Sequence, residues 1–374
     1  MELQEDILSI SNIIAIVVSA FLALHFLFLK TSSWKANIFL GLFLLLTSLS
    51  VFVSELETHY HQELNLPLIE FIFSPILLSV ILFYYVLAST DSLKTKGPKY
   101  AWMYVLSFAF SILDFSLISL PENDFINLIS VVVYLTSGLI SLVVLLLIMN
   151  EIKAHNKNIL RLFSSIENKQ LNWLKLLIIV NIGFACIWFI DDFLVAIIGD
   201  NLVSNGISLF STFATLVTIL WIGFAGLRQS PIFESITLSQ DKEPPPVMVL
   251  DDELRQKYEA LNTLIIEKRL YTDQDLTLSD LAKLTDLRPK ELSMLINQQF
   301  ESSFYHFINH HRVGHFKEIS NDAKYDYLSI EGLSQEAGFK SKSTFYAAFK
   351  RIEGTTPKEY ESRHNNATDV SRTS

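Results

Sequence analysis

Four side chains near the C-terminus set out the chemistry this sequence is equipped for: Lys342, Ser343, Tyr346 and Lys350, with Lys340 just ahead of them. Around them Phe345, Phe349 and Ile352 recur at i, i+4 and i+7, the spacing that lays one apolar stripe along a helix. The polar residues fall off that stripe. No acidic residue occurs between Glu336 and Glu353, so the exposed face is locally basic. Such a face suits a DNA major groove. A helix fits the groove, lysine reaches phosphates or guanine acceptors, serine permits close approach, and the tyrosine ring can meet a thymine methyl.

The elements that must position this face are legible on either side of it. Ser329 opens a short helix that stops near Gly338, and Ser341 opens the reading helix itself. Downstream, Thr356-Pro357-Lys358-Glu359 reads as a capping box with proline at the first helical position, which predicts a third, bracing helix.

The run Gly338 to Phe345, then Phe349-Lys350, then Gly354 to Tyr360 follows the pattern G-F-x-S-x-S-x-F, F-K, G-x-T-P-x-x-Y. It resembles the second helix-turn-helix of AraC-type transcription regulators. That resemblance implies two such units in tandem, and residues 276 to 300 resemble the first. There Thr277 and Asp280 form a capping box, while Leu281, Ala282 and Leu284 make one apolar stripe and Leu292, Leu295, Ile296 and Phe300 another. Lys290, Ser293, Met294 and Asn297 occupy the exposed face. Residues 303 to 320 read as the helix that links the two units. The resemblance further implies double-stranded DNA as partner, with both units entering successive major grooves on one face, and RNA polymerase as the partner of an activator. The sequence departs from the family at Glu361, Ala347 and Met294. From residue 251 onward there are 17 Lys and Arg against 20 Asp and Glu, a balance that predicts modest non-specific affinity.

The rest of the chain has another character. Half of all residues are apolar, 28 are Phe, and the net charge is -10. Charge becomes dense only from about residue 240. Seven apolar runs are long enough to cross roughly 30 Å of hydrocarbon: 8 to 29, 36 to 56, 66 to 89, 100 to 120, 125 to 149, 171 to 197 and 202 to 227. Glu2, Glu5 and Asp6 precede the first run, so it lacks the basic end of a signal peptide and is expected to be retained.

Alternate connections carry Lys30 and Lys35; Lys94, Lys96 and Lys99; Lys153, Lys157, Arg161 and Lys169; and Arg228. The intervening connections carry no Lys or Arg. The positive-inside rule then puts the N-terminus outside and the C-terminal domain in the cytoplasm, across a bacterial inner membrane. Trp34, Trp102 and Trp173 fall at the same predicted interface.

The expected organisation is a sensor domain over 1–228, a linker over 229–250 containing Pro244-Pro245-Pro246, a DNA-binding domain over 251–364 and a polar tail over 365–374. Residues 251 to 270 predict an amphipathic helix with Leu254, Tyr258, Leu261 and Ile265 on one side. The fold class is therefore all-α: a seven-helix transmembrane bundle followed by a cytoplasmic helical domain with two tandem helix-turn-helix units.

Ionisable groups at membrane depth are costly and point to function. Glu70, Asp114, Asp191 and Asp192 collect toward the predicted outer side and form the candidate ligand-sensing set, near Glu55 and Glu57. The alternation Glu55, Glu57, His59, His61, Glu63 offers imidazole and carboxylate, but nothing else completes a metal site. With Cys186 the sole cysteine, neither a disulfide within the chain nor a cysteine-based metal site is expected. No metalloprotease, P-loop, nucleophile-elbow or kinase signature occurs, so neither an enzyme nor a cofactor is expected. The expected partners are DNA, membrane lipid, an envelope or small-molecule ligand, a second copy of the chain, and RNA polymerase. The rival reading is a transporter or channel with an accessory cytoplasmic domain.

Overall fold

The structure, a computed structural model, describes residues 2–29, 33–60, 75–118, 120–121, 123–167, 169–198, 202–228 and 251–362. Among them secondary structure is helical, with no strand; a lone antiparallel bridge joins Phe163 and Thr277. The chain divides into two compact units. One comprises residues 1–155 and 171–234, the other 156–170 and 235–374.

The first unit holds α1 (Glu2–Phe28), α2 (Trp34–Tyr60), α3 (Pro75–Ser89), α4 (Leu93–Tyr100), α5 (Trp102–Ile118), most of α6 (Asp124–Leu162), α7 (Asn172–Ile198) and α8 (Leu202–Arg228). Among the described residues, five stretches are long and apolar enough to cross a membrane: Ile7–Phe28, Trp34–Val53, Leu93–Leu117, Asp124–Leu162 and Phe210–Leu227. Two shorter apolar helices, Ile76–Ser89 and Asn172–Gly183, fall in the third and sixth expected runs. The start of the third run lies outside the described residues.

Helix α1 packs on α2 and α8. Close approach there depends on small residues. A Cβ at Gly226 of α8 would come within 2.8 Å of the Phe26 ring, so only glycine fits without displacement. Ser48 Oγ donates to the Ile16 carbonyl at 3.0 Å, and Asn12 Nδ2 to Glu55 Oε2 at 2.7 Å, tying α1 to α2 by polar contacts as well. The outward faces are apolar. Phe21, Phe28, Val105, Phe125, Leu139 and Val217 are all more than 60 % exposed. A patch of this extent is far beyond what a protein surface in water normally shows.

Helix α6 differs from expectation at its far end. The fifth apolar run was expected to stop at 149, yet the helix continues to Leu162 and is 39 residues long. At about 1.5 Å per residue it rises roughly 58 Å, about twice a hydrocarbon core. The physical reason is composition: Glu151 and Lys153 are too polar to extend an apolar run, yet they favour helix and sustain it. Glu151 pairs with Lys96 of α4 at 2.7 Å.

The second unit is built from α9 (Asp251–Glu267), α10 (Leu278–Lys283), α11 (Pro289–Gln299), α12 (Phe304–Ile319), α13 (Ile330–Glu336), α14 (Lys342–Glu353) and a last helical stretch over 357–362. It has two cores. Leu261 and Ile265 of α9 join Leu278, Leu281, Leu292, Leu295, Ile296, Phe304, Phe307 and Ile308 in the first. Val313, Phe316 and Ile319 join Leu333, Phe339, Phe345, Ala348 and Phe349 in the second. Helix α12 therefore feeds both, its first half one core and its second half the other. The amphipathic α9 lays its apolar side on α11.

Candidate nucleic-acid interface

Local capping chemistry opens α10, α14 and the last helical stretch. Ser341 caps α14, its hydroxyl accepting from the Thr344 amide at 3.2 Å. Thr277 caps α10 and exchanges bonds with Asp280, at 3.1 Å from the Asp280 amide and 2.6 Å to its carboxylate. Thr356 and Glu359 bond reciprocally, at 2.9 and 3.3 Å, before the last helical stretch. Gly338 ends the turn between α13 and α14 at φ 97°, where a side chain would be strained and a Cβ would collide with the Tyr271 carbonyl oxygen.

Thr344, Phe345, Ala348 and Phe349 form the buried stripe of α14; Ile352 is half-buried at its edge. Lys342, Ser343, Ala347 and Lys350 are exposed, as is Lys340 just before the helix, and Tyr346 is half-buried. Lys342 lies over the Tyr346 ring, 5.5 Å from its centroid. On α11, Lys290 and Asn297 are exposed while Ser293 and Met294 are half-buried. Each set thus shares one helix face.

The acids that face these lysines were not apparent in sequence. Glu331 of α13 bonds Lys342, which holds the exposed Glu331 carboxyl below its ordinary range and raises Lys342. Asp275, ahead of α10, holds Lys340 at 2.7 and 2.9 Å and is itself lowered by that hydrogen bond. The second contact joins the approach to the first helix-turn-helix to that of the second reading helix.

Arg312 of α12 is fully buried, the largest side chain to be so. Its guanidinium donates to the carbonyl oxygens of Tyr271 at 2.8 Å, Asp273 at 2.8 Å and Ser164 at 3.0 Å, and to Asn309 Oδ1 at 3.2 Å. Burial lowers its pKa to about 10, and the nearby Glu167 carboxylate is the strongest charge acting in the other direction. Glu167 accepts from Ser341 Oγ at 2.8 Å and from Thr344 Oγ1. Burial alone would raise the Glu167 carboxyl, but these bonds, its own backbone and the Lys169 charge bring it below the ordinary value. The sequence signal for Arg312 was only an arginine between the apolar positions of the linking helix; Ser164 and Glu167 gave none.

Of the candidate sensing residues, Asp114 lies half-buried in α5 and Asp191 and Asp192 lie in α7. Glu70 is outside the described residues, as are His61 and Glu63 of the alternating acidic and imidazole run. Among the described residues no cluster of three or more His, Cys, Asp or Glu stands together as a metal site.

Two short helix pairs, each with a second helix showing a polar face, strung on a common central helix, define a tandem helix-turn-helix domain. Residues 281–363 match the family described as a helix-turn-helix domain. The chain is similar to an uncharacterized HTH-type transcriptional regulator of Staphylococcus aureus strain COL, 31% identical over 91 residues. A counterpart from strain MSSA476 is likewise 31% identical over 91 residues, and one from Staphylococcus aureus without a stated strain is 32% identical. In each case the match covers 24% of this chain and only 12% of the relative. No solved structure matches.

Proposed function

We propose that this chain is a membrane-embedded, one-component transcription regulator. The observation that carries the reading is the exposed, Ser-capped α14, whose outward face presents Lys342, Ser343, Tyr346 and Lys350 without an acidic residue of its own before Glu353. It is set in tandem with α11, which offers Lys290, Ser293, Met294 and Asn297. The match to helix-turn-helix domains and the HTH-type regulator names of the relatives support DNA as the ligand of this face. Within the reading, Lys340, Lys342 and Lys350 neutralise phosphates, while Ser343, Tyr346 and Asn297 bias base preference.

The long apolar helices and their exposed Phe, Leu and Val support placement of the first unit in a bilayer, N-terminus outside and DNA-binding domain in the cytoplasm. A ligand that binds two arrangements of the helices unequally would then alter the DNA-binding domain, with Glu70, Asp114, Asp191 and Asp192 as the sensing set. A second copy would add avidity on a paired site, and RNA polymerase would be the partner in activation.

Genome-wide crosslinking of the membrane-fractionated protein tests the reading, with a Lys342→Ala, Tyr346→Ala, Lys350→Ala triple variant as control. Discrete sites lost in the variant are expected. Equal recovery from both proteins would overturn it.

A further inference from the structure

Residues 156–170, the last turns of α6 and the connection that leads on to α7, belong to the second compact unit. Within that unit they are bonded at three places. Ser164 donates its amide and its hydroxyl to the Leu276 carbonyl, at 3.2 and 2.7 Å, and the neighbouring Phe163 bridges Thr277, the cap of α10. The Ser164 carbonyl and hydroxyl accept from Arg312 at 3.0 and 3.1 Å, on the central helix. Glu167 accepts from Ser341 and Thr344, in the first turn of α14. The segment thus touches the start of the first helix-turn-helix, the helix common to both, and the start of the second reading helix.

We propose that residues 156–170 are the intramolecular input of the DNA-binding domain, a brace that fixes its two reading helices relative to each other and transmits the state of the apolar helices to them. The inference rests on the DNA-binding reading above. Two reading helices that enter successive grooves must keep a set separation, about one helical turn of DNA. A segment bonded to the start of the helix that precedes the first reading helix, and to the start of the second reading helix, controls it.

Its composition suits reversible seating. Its fully buried residues are Ser164, Ser165 and a single apolar one, Ile159, while the apolar Leu162 and Phe163 are only half-buried. On release, Arg312 keeps the acceptors of Tyr271, Asp273 and Asn309, and the Ser341 hydroxyl keeps the Thr344 amide. The domain would therefore loosen without unfolding. Helix α6 runs without a break through Leu162 into this segment.

The test uses the full-length protein in lipid nanodiscs, comparing wild type with Glu167→Ala and Glu167→Gln. Amide exchange of residues 162–167 and 341–345 reads the seating, and retention of a pool of random-sequence duplexes at low salt reads DNA binding. Losing a hydrogen-bonded charge should speed exchange and weaken retention by about tenfold each in the alanine variant. The glutamine variant keeps an acceptor for both hydroxyls and should recover part of each. Unchanged exchange overturns the seating; faster exchange with equal or tighter retention overturns the bracing role. A wild type that retains no DNA overturns instead the reading on which the inference rests.

Discussion

Arg312 Nη1 donates to the carbonyl oxygen of Ser164, 148 positions earlier, at 3.0 Å. Buried guanidinium and remote carbonyl satisfy each other where water is excluded. Arg312→Leu would leave the carbonyls of Tyr271, Asp273 and Ser164 without that donor. A destabilisation of roughly 3 kcal/mol or more is expected, given about 1–3 kcal/mol for each orphaned buried group. Hydrogen-exchange protection around residues 271–276 and 312–316 should fall accordingly, and native-like protection there would refute the expectation.

Glu331 neutralises Lys342 on the face proposed to meet DNA. Glu331→Gln should release that charge, tighten binding several-fold and steepen the salt dependence. Lys342→Ala should do the opposite, flattening the log-log slope by about 0.9, the value of one phosphate left without its cation. Fluorescence anisotropy over a salt series measures both. Identical slopes in the two variants would remove Lys342 from the interface.

Gly338 has neither the backbone angle nor the space for a side chain. Gly338→Ala is expected to cost about 1–3 kcal/mol from the backbone conformation alone, with the clash against Tyr271 added. The turn between α13 and α14 should lose protection from proteolysis first. Wild-type resistance would show that the turn relaxes at little cost.

His311 packs against Tyr271, ring planes 10° apart, and burial lowers its pKa from 6.5 to about 4. The unfolded chain therefore binds more protons than the folded one between these values. Stability from neutral His311 is complete above about pH 6.5 and is lost as pH falls toward 4. His306, lowered to about 4 by burial and by Arg351, adds in the same sense. His311→Gln should flatten the pH dependence of exchange protection over this window. An unaltered profile would assign it to other groups.

The apolar stripe of α14, the caps at Thr277, Ser329 and Ser341, and the box at Thr356 were legible because each depends on residues within one or two helical turns. So were the apolar passages, which need only composition and length. What the sequence concealed is long-range. Glu331 stands 11 positions from Lys342, Asp275 65 from Lys340, and Glu167 174 from Ser341. No periodicity connects such pairs. The extension of α6 was hidden for another reason, since charged residues that favour helix also mark the end of an apolar run. Those same residues made 156–170 read as part of a loop between spans.

Because residues 156–170 belong to the second unit, the gene segment encoding residues 251–362 does not carry every contact of that unit. A graft of that segment onto a foreign carrier would leave Arg312 without the carbonyl and hydroxyl of Ser164, and the first turn of α14 without Glu167. Recombination that exchanges one half of such a protein for another is thereby constrained. The segment over 156–170 and the C-terminal helices it is bonded to must diverge together, as two parts of a single lock.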